Sequence, residues 1–292
     1  MTTFETPTPI SVSLDLGVGD IRITASDRTD TVVEVRPSDP ASAGDVTAAE
    51  HTQVEYAGGR LLIKAPKGWK HYTPWGGRES IDVAVELPSG SRVDGEAGVA
   101  AFRSTGRLDE CRVKTGAGAI HVDHAGAVQL RTGAGDVTLD RAGGRAIVTT
   151  GSGALQIGSV DGPTFVKNSN GETWIGEVSG DVRVRAANGK ITVDRPRSTV
   201  AVKTANGDIV LGAVERGQVV AETAYGKVDI GVAGGVPAWL ELHTSFGNVR
   251  NGLEPADGPA AGHDSVEIRA RSGFGDITIR RSGGEDIERS AS

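Results

Sequence analysis

The sequence predicts an all-β chain wound as a single-stranded, right-handed parallel β-solenoid, a β-helix with coils of about 18 residues. Three observations carry that expectation. The stretch ANGKITV at 187–193 returns as ANGDIVL at 205–211, eighteen residues later. The wider pattern Thr/Ser-x-x-Gly-x-Ile/Val-x-Val/Ile/Leu sets its glycine at Gly118, Gly135, Gly153, Gly171, Gly189, Gly207, Gly226 and Gly247, at intervals of 17, 18, 18, 18, 18, 19 and 21. Finally, the chain holds 42 glycines and one methionine, and only 4% of it is aromatic. A helical core leans on Leu, Phe and Met, whereas Val, Ile and Thr punctuated by Gly suit short strands and turns.

Taken in order, residues 1–95 carry the strand-like runs ISVSLDL, TVVEVRP, QVEYAG, RLLIKAP and SIDVAVELP, separated by longer loops. These read as irregular, wider coils of the same solenoid that cap one end, since a bare end exposes strand edges. GVGDIRI around Gly19 is an early, isolated copy of the repeat, Gly98 precedes the series and Gly275 follows it. The regular repeats run over 96–280, with loop insertions at 37–50 and 251–264. No segment carries a helical period with caps. The whole is expected to be one domain, 1–280, followed by a disordered tail at 281–292.

Within each coil two short runs alternate. Val182, Val184 and Ala186 alternate with Arg183, Arg185 and Ala187, and after Gly189 the inward Ile191 and Val193 alternate with Thr192 and Asp194. Alternation marks a strand with one buried face, and parallel connections of this kind are right-handed. The glycine sits at a corner that needs positive φ or close backbone approach. Asn170, Asn188 and Asn206 precede it in three consecutive coils and predict a stacked amide ladder. Tyr225, Phe246 and Phe274 take that place later and predict an aromatic ladder. Lys190 and Asp208, the letters that differ between the two heptapeptides, face water.

The net charge of −7 argues against a wholly basic nucleic-acid binder. A lone cysteine, Cys111, allows no internal disulfide and fits a reducing compartment. The opening MTTFETPTPISVSLDLG lacks the basic and apolar regions of a secretory signal, and no stretch is apolar enough to span a membrane. The expectation is a cytoplasmic protein, with the cell surface as the alternative.

Chemistry is scarce. HVDH at 121–124 places His121, Asp123 and His124 together without a partner in the next coil. A calcium β-roll needs an acidic column, but the position after the corner glycine includes Lys190 and Lys227. Asp123 and Asp140 occupy equivalent positions in adjacent coils, yet the next coil supplies Gly158 instead of a third acid. The Gly-rich TGAGD and TGSG pieces precede no helix, so they are not phosphate loops. No catalytic residue, cofactor or metal is expected.

Two surface features remain. Four residues before each corner glycine stands an outward column: Lys114, Arg131, Thr149, Lys167, Arg185, Lys203, Glu222 and His243. Its basic members Lys114, Arg131, Lys167, Arg185 and Lys203 form a candidate polyanion stripe, or simply a solvated face that deters aggregation. The second feature is GWKHYTPWGGRE at 68–79, where Trp69, Tyr72 and Trp75 gather three of the chain's twelve aromatic residues beside Lys70, His71 and Arg78. It reads as a hydrophobic lid or as a partner-binding loop.

The alternating run SIDVAVELPSGSRV at 80–93, followed by Gly-centred repeats of the TGxGxIxV type, resembles the bacterial β-strand-repeat family known as a putative adhesin domain of unknown function. The resemblance covers roughly residues 10–280. It implies a right-handed, single-stranded β-solenoid and brings no catalytic residues with it. The function expected is therefore that of a non-catalytic binding or scaffold protein, an intracellular interaction module for a protein partner. The alternatives are an exported cell-surface adhesin-like protein and a polysaccharide-active β-helix enzyme. A polyanion, or self-association end to end or as a dimer, stands beside the protein partner among the expected interactions.

Overall fold

The computed structural model describes residues 1–66, 79–254 and 265–282. The chain divides into two compact units, Met1–Gly151 and Ser152–Ser292. Both are built from strands, and nearly all pairings are parallel, as the repeat predicts.

Unit 1 contains β1 (Thr2–Glu5), β2 (Ser11–Ser26), β3 (Asp30–Pro37), α1 (Ala43–Glu50), β4 (Gln53–Ala57), β5 (Arg60–Lys64), β6 (Ile81–Pro88), β7 (Arg92–Ala117), β8 (Ile120–Ala134), β9 (Val137–Ala142) and β10 (Ala146–Ser152). One edge of β2 runs parallel to β7 from Ser11↔Arg92 to Thr24↔Thr105. Its other edge is taken first by β5 and then by β6, both parallel. β7 in turn lies parallel to β8, and β8 to β9. Alternation does what the sequence implies: Val12, Leu14, Leu16, Ile21 and Ile23 point inward and are at most 3% exposed.

The N-terminal region departs from wider solenoid coils in one respect. β3 pairs antiparallel with both β1 and β6, and β4 pairs antiparallel with β5. For β4 and β5 the reason is connection length. β4 and β5 are joined through Gly58 and Gly59, with φ of 55° and 76°. Such a two-residue turn can join only antiparallel strands.

The segment 37–50, expected as a loop, holds α1. Ser42 caps it, its Oγ accepting from the Asp45 backbone N–H at 3.3 Å. The Asp45 carboxylate accepts from the Ser42 hydroxyl, the Asp39 N–H and the Ser80 N–H. The helix lies against β3 and β6. Its cap was visible as Ser-x-x-Asp, but eight residues with no apolar stripe give no period to read.

Unit 2 contains β11 (Leu155–Val160), β12 (Thr164–Asn170), β13 (Thr173–Val178), β14 (Val182–Asn188), β15 (Ile191–Pro196), β16 (Val200–Asn206), β17 (Ile209–Val214), β18 (Gly217–Tyr225), β19 (Val228–Val232), β20 (Ala238–Phe246), β21 (Val249–Asn251), β22 (Val266–Phe274) and β23 (Ile277–Arg281). β12, β14, β16 and β18 stack in parallel as one face, and β11, β13, β15, β17 and β19 as another. Their inward residues Val184, Ile191, Val193, Val200 and Val202 are fully buried.

The last three coils do not stack in chain order. β22 pairs with β18 on one side and β20 on the other, and β23 likewise lies between β19 and β21. The chain thus lays down β20 and β21 at a distance and fills the gap afterwards. The longer glycine intervals of 21 and 28 residues at this point in the repeat mark the detour.

The corner glycines behave as predicted. At Gly189 φ is 124°, and a Cβ there would meet the Gly171 carbonyl oxygen at 2.1 Å. Gly98 is the exception: it registers with Gly17, and Ala100 is the residue that stands opposite Gly19 and under Gly118. GVGDIRI around Gly19 is therefore a true copy, in register with the later corners.

The Thr/Ser three residues before the corner also has a physical cause. Positive φ turns a carbonyl toward the interior, and the next coil supplies a buried donor. Thr132 donates to the Gly118 oxygen, Thr150 to Gly135, Thr223 to Gly207 and Ser272 to Gly226, at 2.9–3.2 Å. Asn168 does the same with its amide toward Gly153. Replacing Thr223 by valine keeps the shape but leaves the Gly207 carbonyl without this donor. A loss of about 1–2 kcal/mol is expected by chemical denaturation; an unchanged midpoint would refute the assignment.

Candidate functional site

The regular winding converts sequence spacing into surface columns. On unit 2, Lys167, Arg185 and Lys203 stand in register on β12, β14 and β16, all outward and exposed. Adjacent parallel strands lie about 4.8 Å apart, so three like charges follow one another at that spacing. Arg183 joins them two residues along β14, its guanidinium 5.8 Å from the Phe165 ring. The column continues to Glu222, whose carboxylate pairs with the Lys203 ammonium at 2.8 Å. Neither Lys167 nor Arg185 has an ion pair among the described residues.

Beyond Glu222, register inserts a residue that sequence order had placed elsewhere. Arg271 on β22 stands between Glu222 and His243. It donates to Glu241 at 2.9 Å, and Arg269 also pairs with Glu241. These guanidiniums hold the Glu241 carboxyl below its usual range, the Arg271 hydrogen bond first. Arg271 lies four residues before Gly275, the signal that would have found it. On unit 1, Lys114 and Arg131 are register partners on β7 and β8, and the Lys114 ammonium pairs with Glu96.

Both ladders form. Asn188 donates its amide to the Asn170 side-chain oxygen at 2.8 Å, and Asn206 to that of Asn188 at 2.9 Å. The aromatic ladder runs Tyr225, Phe274, Phe246, with centroids 4.9 and 4.7 Å apart and planes within 8°. Its order follows the stack of strands and not the chain. Trp69, Tyr72 and Trp75 lie outside the described residues, as does the tail from 283 onward.

The acidic and histidine side chains that could carry chemistry are engaged locally. His121 Nε2 lies 3.0 Å from Asp140, and Asp123 accepts from the Gly106 N–H at 2.8 Å. Among the described residues no three His, Cys, Asp or Glu side chains gather to hold a metal. Asp194 accepts from the Trp174 indole N–H at 3.0 Å; burial, the larger influence, pushes its carboxyl above the usual range. A cleft of about 170 Å³ lined by Ser11, Arg92, Asp94, Glu110 and Arg112 is smaller than ligand pockets of about 300 Å³ and more. No helix among the described residues is long and apolar enough to cross a membrane.

A parallel β-solenoid with Gly-corner repeats and this surface patterning defines the class of β-strand-repeat proteins. The chain belongs to the Toastrack DUF4097 family, whose model matches residues 10–280. No curated protein matches it. Among solved structures it is similar to an adhesin, described as putative, from Parabacteroides merdae ATCC 43184, at 11% identity, a TM-score of 0.42, and coverage of 95% of this chain and 94% of that one. A second so described, from Parabacteroides distasonis ATCC 8503, is 14% identical with a TM-score of 0.40 and 95% of both chains covered. A lipid binding protein from the same strain, also described as putative, is 12% identical with a TM-score of 0.27 and 95% of both chains covered.

Proposed function

We propose that this chain is a non-catalytic binding scaffold, an intracellular interaction module that offers its flat outward strand faces to a protein partner. The observation that carries the reading is the registered column Lys167, Arg185 and Lys203, with Arg183 beside it. A rigid parallel stack fixes the positions of these charges before any partner arrives, which lowers the entropy lost on binding. Three of the four, Lys167, Arg183 and Arg185, have no internal ion pair among the described residues, so their charge is directed at solvent and at whatever approaches. The fitting partner is a protein with an acidic face, steered by long-range attraction. The intracellular placement rests on the lone cysteine, which is compatible with a reducing compartment.

The test is a pull-down from host lysate with wild type and with Lys167→Glu, Arg185→Glu and Lys203→Glu combined, at low and high salt and with nuclease. Three reversals change the local charge by six, and the salt-sensitive protein partner should be lost. A partner retained by the triple variant would discard the face. Capture that vanishes with nuclease would replace a protein by a nucleic acid. Labelling of the chain on intact cells by an impermeant reagent would sink the intracellular placement in favour of a surface adhesin.

A further inference from the structure

The coil formed by β20 and β21 is the outermost of unit 2. Among the described residues β20 pairs only with β22, and β21 only with β23. The inward apolar column nevertheless continues onto it. Ile268, Ala270 and Ile277 are fully buried, whereas their register partners Leu240 and Leu242 are half-exposed and Val249 is 46% exposed. Phe246, which ends the aromatic stack, is 67% exposed, and Trp239 is 65% exposed. Of the seven exposed large apolar residues among those described, Tyr225, Trp239, Phe246, Val249 and Phe274 lie on the last three coils. Trp239, Phe246 and Val249 lie on the outermost coil itself, and such a concentration on strands whose outer edge no described strand covers differs from scattered surface apolars and marks a pairing surface.

The sequence of β20 indicates what pairs there. Let a second β20 run antiparallel to the first with Leu242 opposite itself. Glu241 then faces His243 of the second copy, and His243 faces its Glu241. Leu240 meets Thr244, and Ala238 meets Phe246. The register sets the Glu241 of each copy beside the His243 of the other, an acceptor beside an imidazole, and it extends the inward Leu column from one copy into the next. In unit 1 the outer strands of the N-terminal region, β1 and β4, are antiparallel and only four and five residues long. The long β20 edge therefore finds its best match in another β20, which closes a pair instead of propagating a filament.

We propose that the β20–β21 coil is a homodimerisation edge, docking a second copy of the chain about a two-fold axis through Leu242. This goes beyond the basic-face reading and does not depend on it. Directly opposed residues in an antiparallel pair have Cα atoms about 4.5–5.5 Å apart, within the reach of a disulfide. The full chain carrying Leu242→Cys should therefore cross-link to twice 30.1 kDa under mild oxidation. The variant Ala238→Cys should not, because its own counterpart lies eight residues away along the pair. By light scattering, wild type should pass from monomer to dimer between about 1 and 100 μM, the range of weak association, and Leu242→Lys should remain monomeric. A wild-type monomer throughout that range, with no cross-link in Leu242→Cys, overturns the proposal and leaves the edge to another occupant. Growth beyond the dimer overturns it as well. So does a dimer that is indifferent to Leu242→Lys and does not cross-link through Leu242→Cys.

Discussion

Gly207→Ala is expected to lower the stability of unit 2 by about 3 kcal/mol or more, although it adds a single methyl. Gly207 has φ of 150°, a conformation in which an L residue is strained. Its new Cβ would lie 2.1 Å from the Gly189 carbonyl oxygen and 2.6 Å from the carbonyl carbon. Both are backbone atoms, so no rotamer change relieves the contact and the two coils must separate locally. The displacement would not stop there. Gly226 rests on the Gly207 oxygen in the same way, and Thr223 donates to that oxygen. Solenoid stability resides in nearest-neighbour interfaces, and this substitution opens the two on either side of one coil. Thermal unfolding checks the expectation. Gly234→Ala serves as the control, since a Cβ there meets nothing within 4 Å. A loss at Gly207 no larger than at Gly234 would mean that the corners are not what fixes coil spacing.

The corner is also where sequence reading was most informative. A residue that sees the same surroundings in every coil is repeated, so Gly171, Gly189, Gly207 and Gly226 state both the period and the inward face. The Thr-x-x-Gly spacing was legible as pattern before its cause was. Only the structure shows the hydroxyl satisfying a carbonyl that positive φ had turned inward. Periodicity could not convey stacking order. Gly247 and Gly275 satisfy the motif equally well, and nothing local says that β22 enters between β18 and β20. Inter-strand pairing is a long-range choice, made between residues far apart in the chain. That same choice placed Arg271 in the charged column and Phe274 between Tyr225 and Phe246.

The candidate faces were legible to a similar degree. Outward alternation located Lys167, Arg185 and Lys203 correctly, because side-chain direction in a strand follows from period two. It could not reveal that Lys203 leans on Glu222 while Lys167 and Arg185 do not, since that depends on neighbours one coil away. Gly98 was misread for a related reason. Two glycine columns run side by side in unit 1, and sequence alone does not say which of them Gly98 joins.

Cys111 is expected to behave as a reporter of opening in unit 1. It is fully buried on β7, and burial, with lesser contributions from the Asp94 and Glu110 charges, pushes its thiol up to about 12. At pH 8 a thiol held at about 12 is ionised to about 10⁻⁴, against about a tenth for one at the ordinary 9.0, and the reagent must also reach a sealed interior. Labelling of the native chain should therefore be at least about a thousandfold slower than that of the unfolded chain. The same shift has a stability consequence. The folded state keeps the thiol proton after the unfolded state has lost it, so the contribution is complete below the ordinary thiol value of 9.0 and declines as pH rises toward about 12. The decline is about 1.4 kcal/mol per pH unit. Denaturant titrations in steps from pH 9 upward should show wild type losing stability faster than Cys111→Ala by that amount. Parallel slopes for the two chains, together with prompt labelling of the native protein, would place Cys111 in contact with solvent and refute a closed core in unit 1.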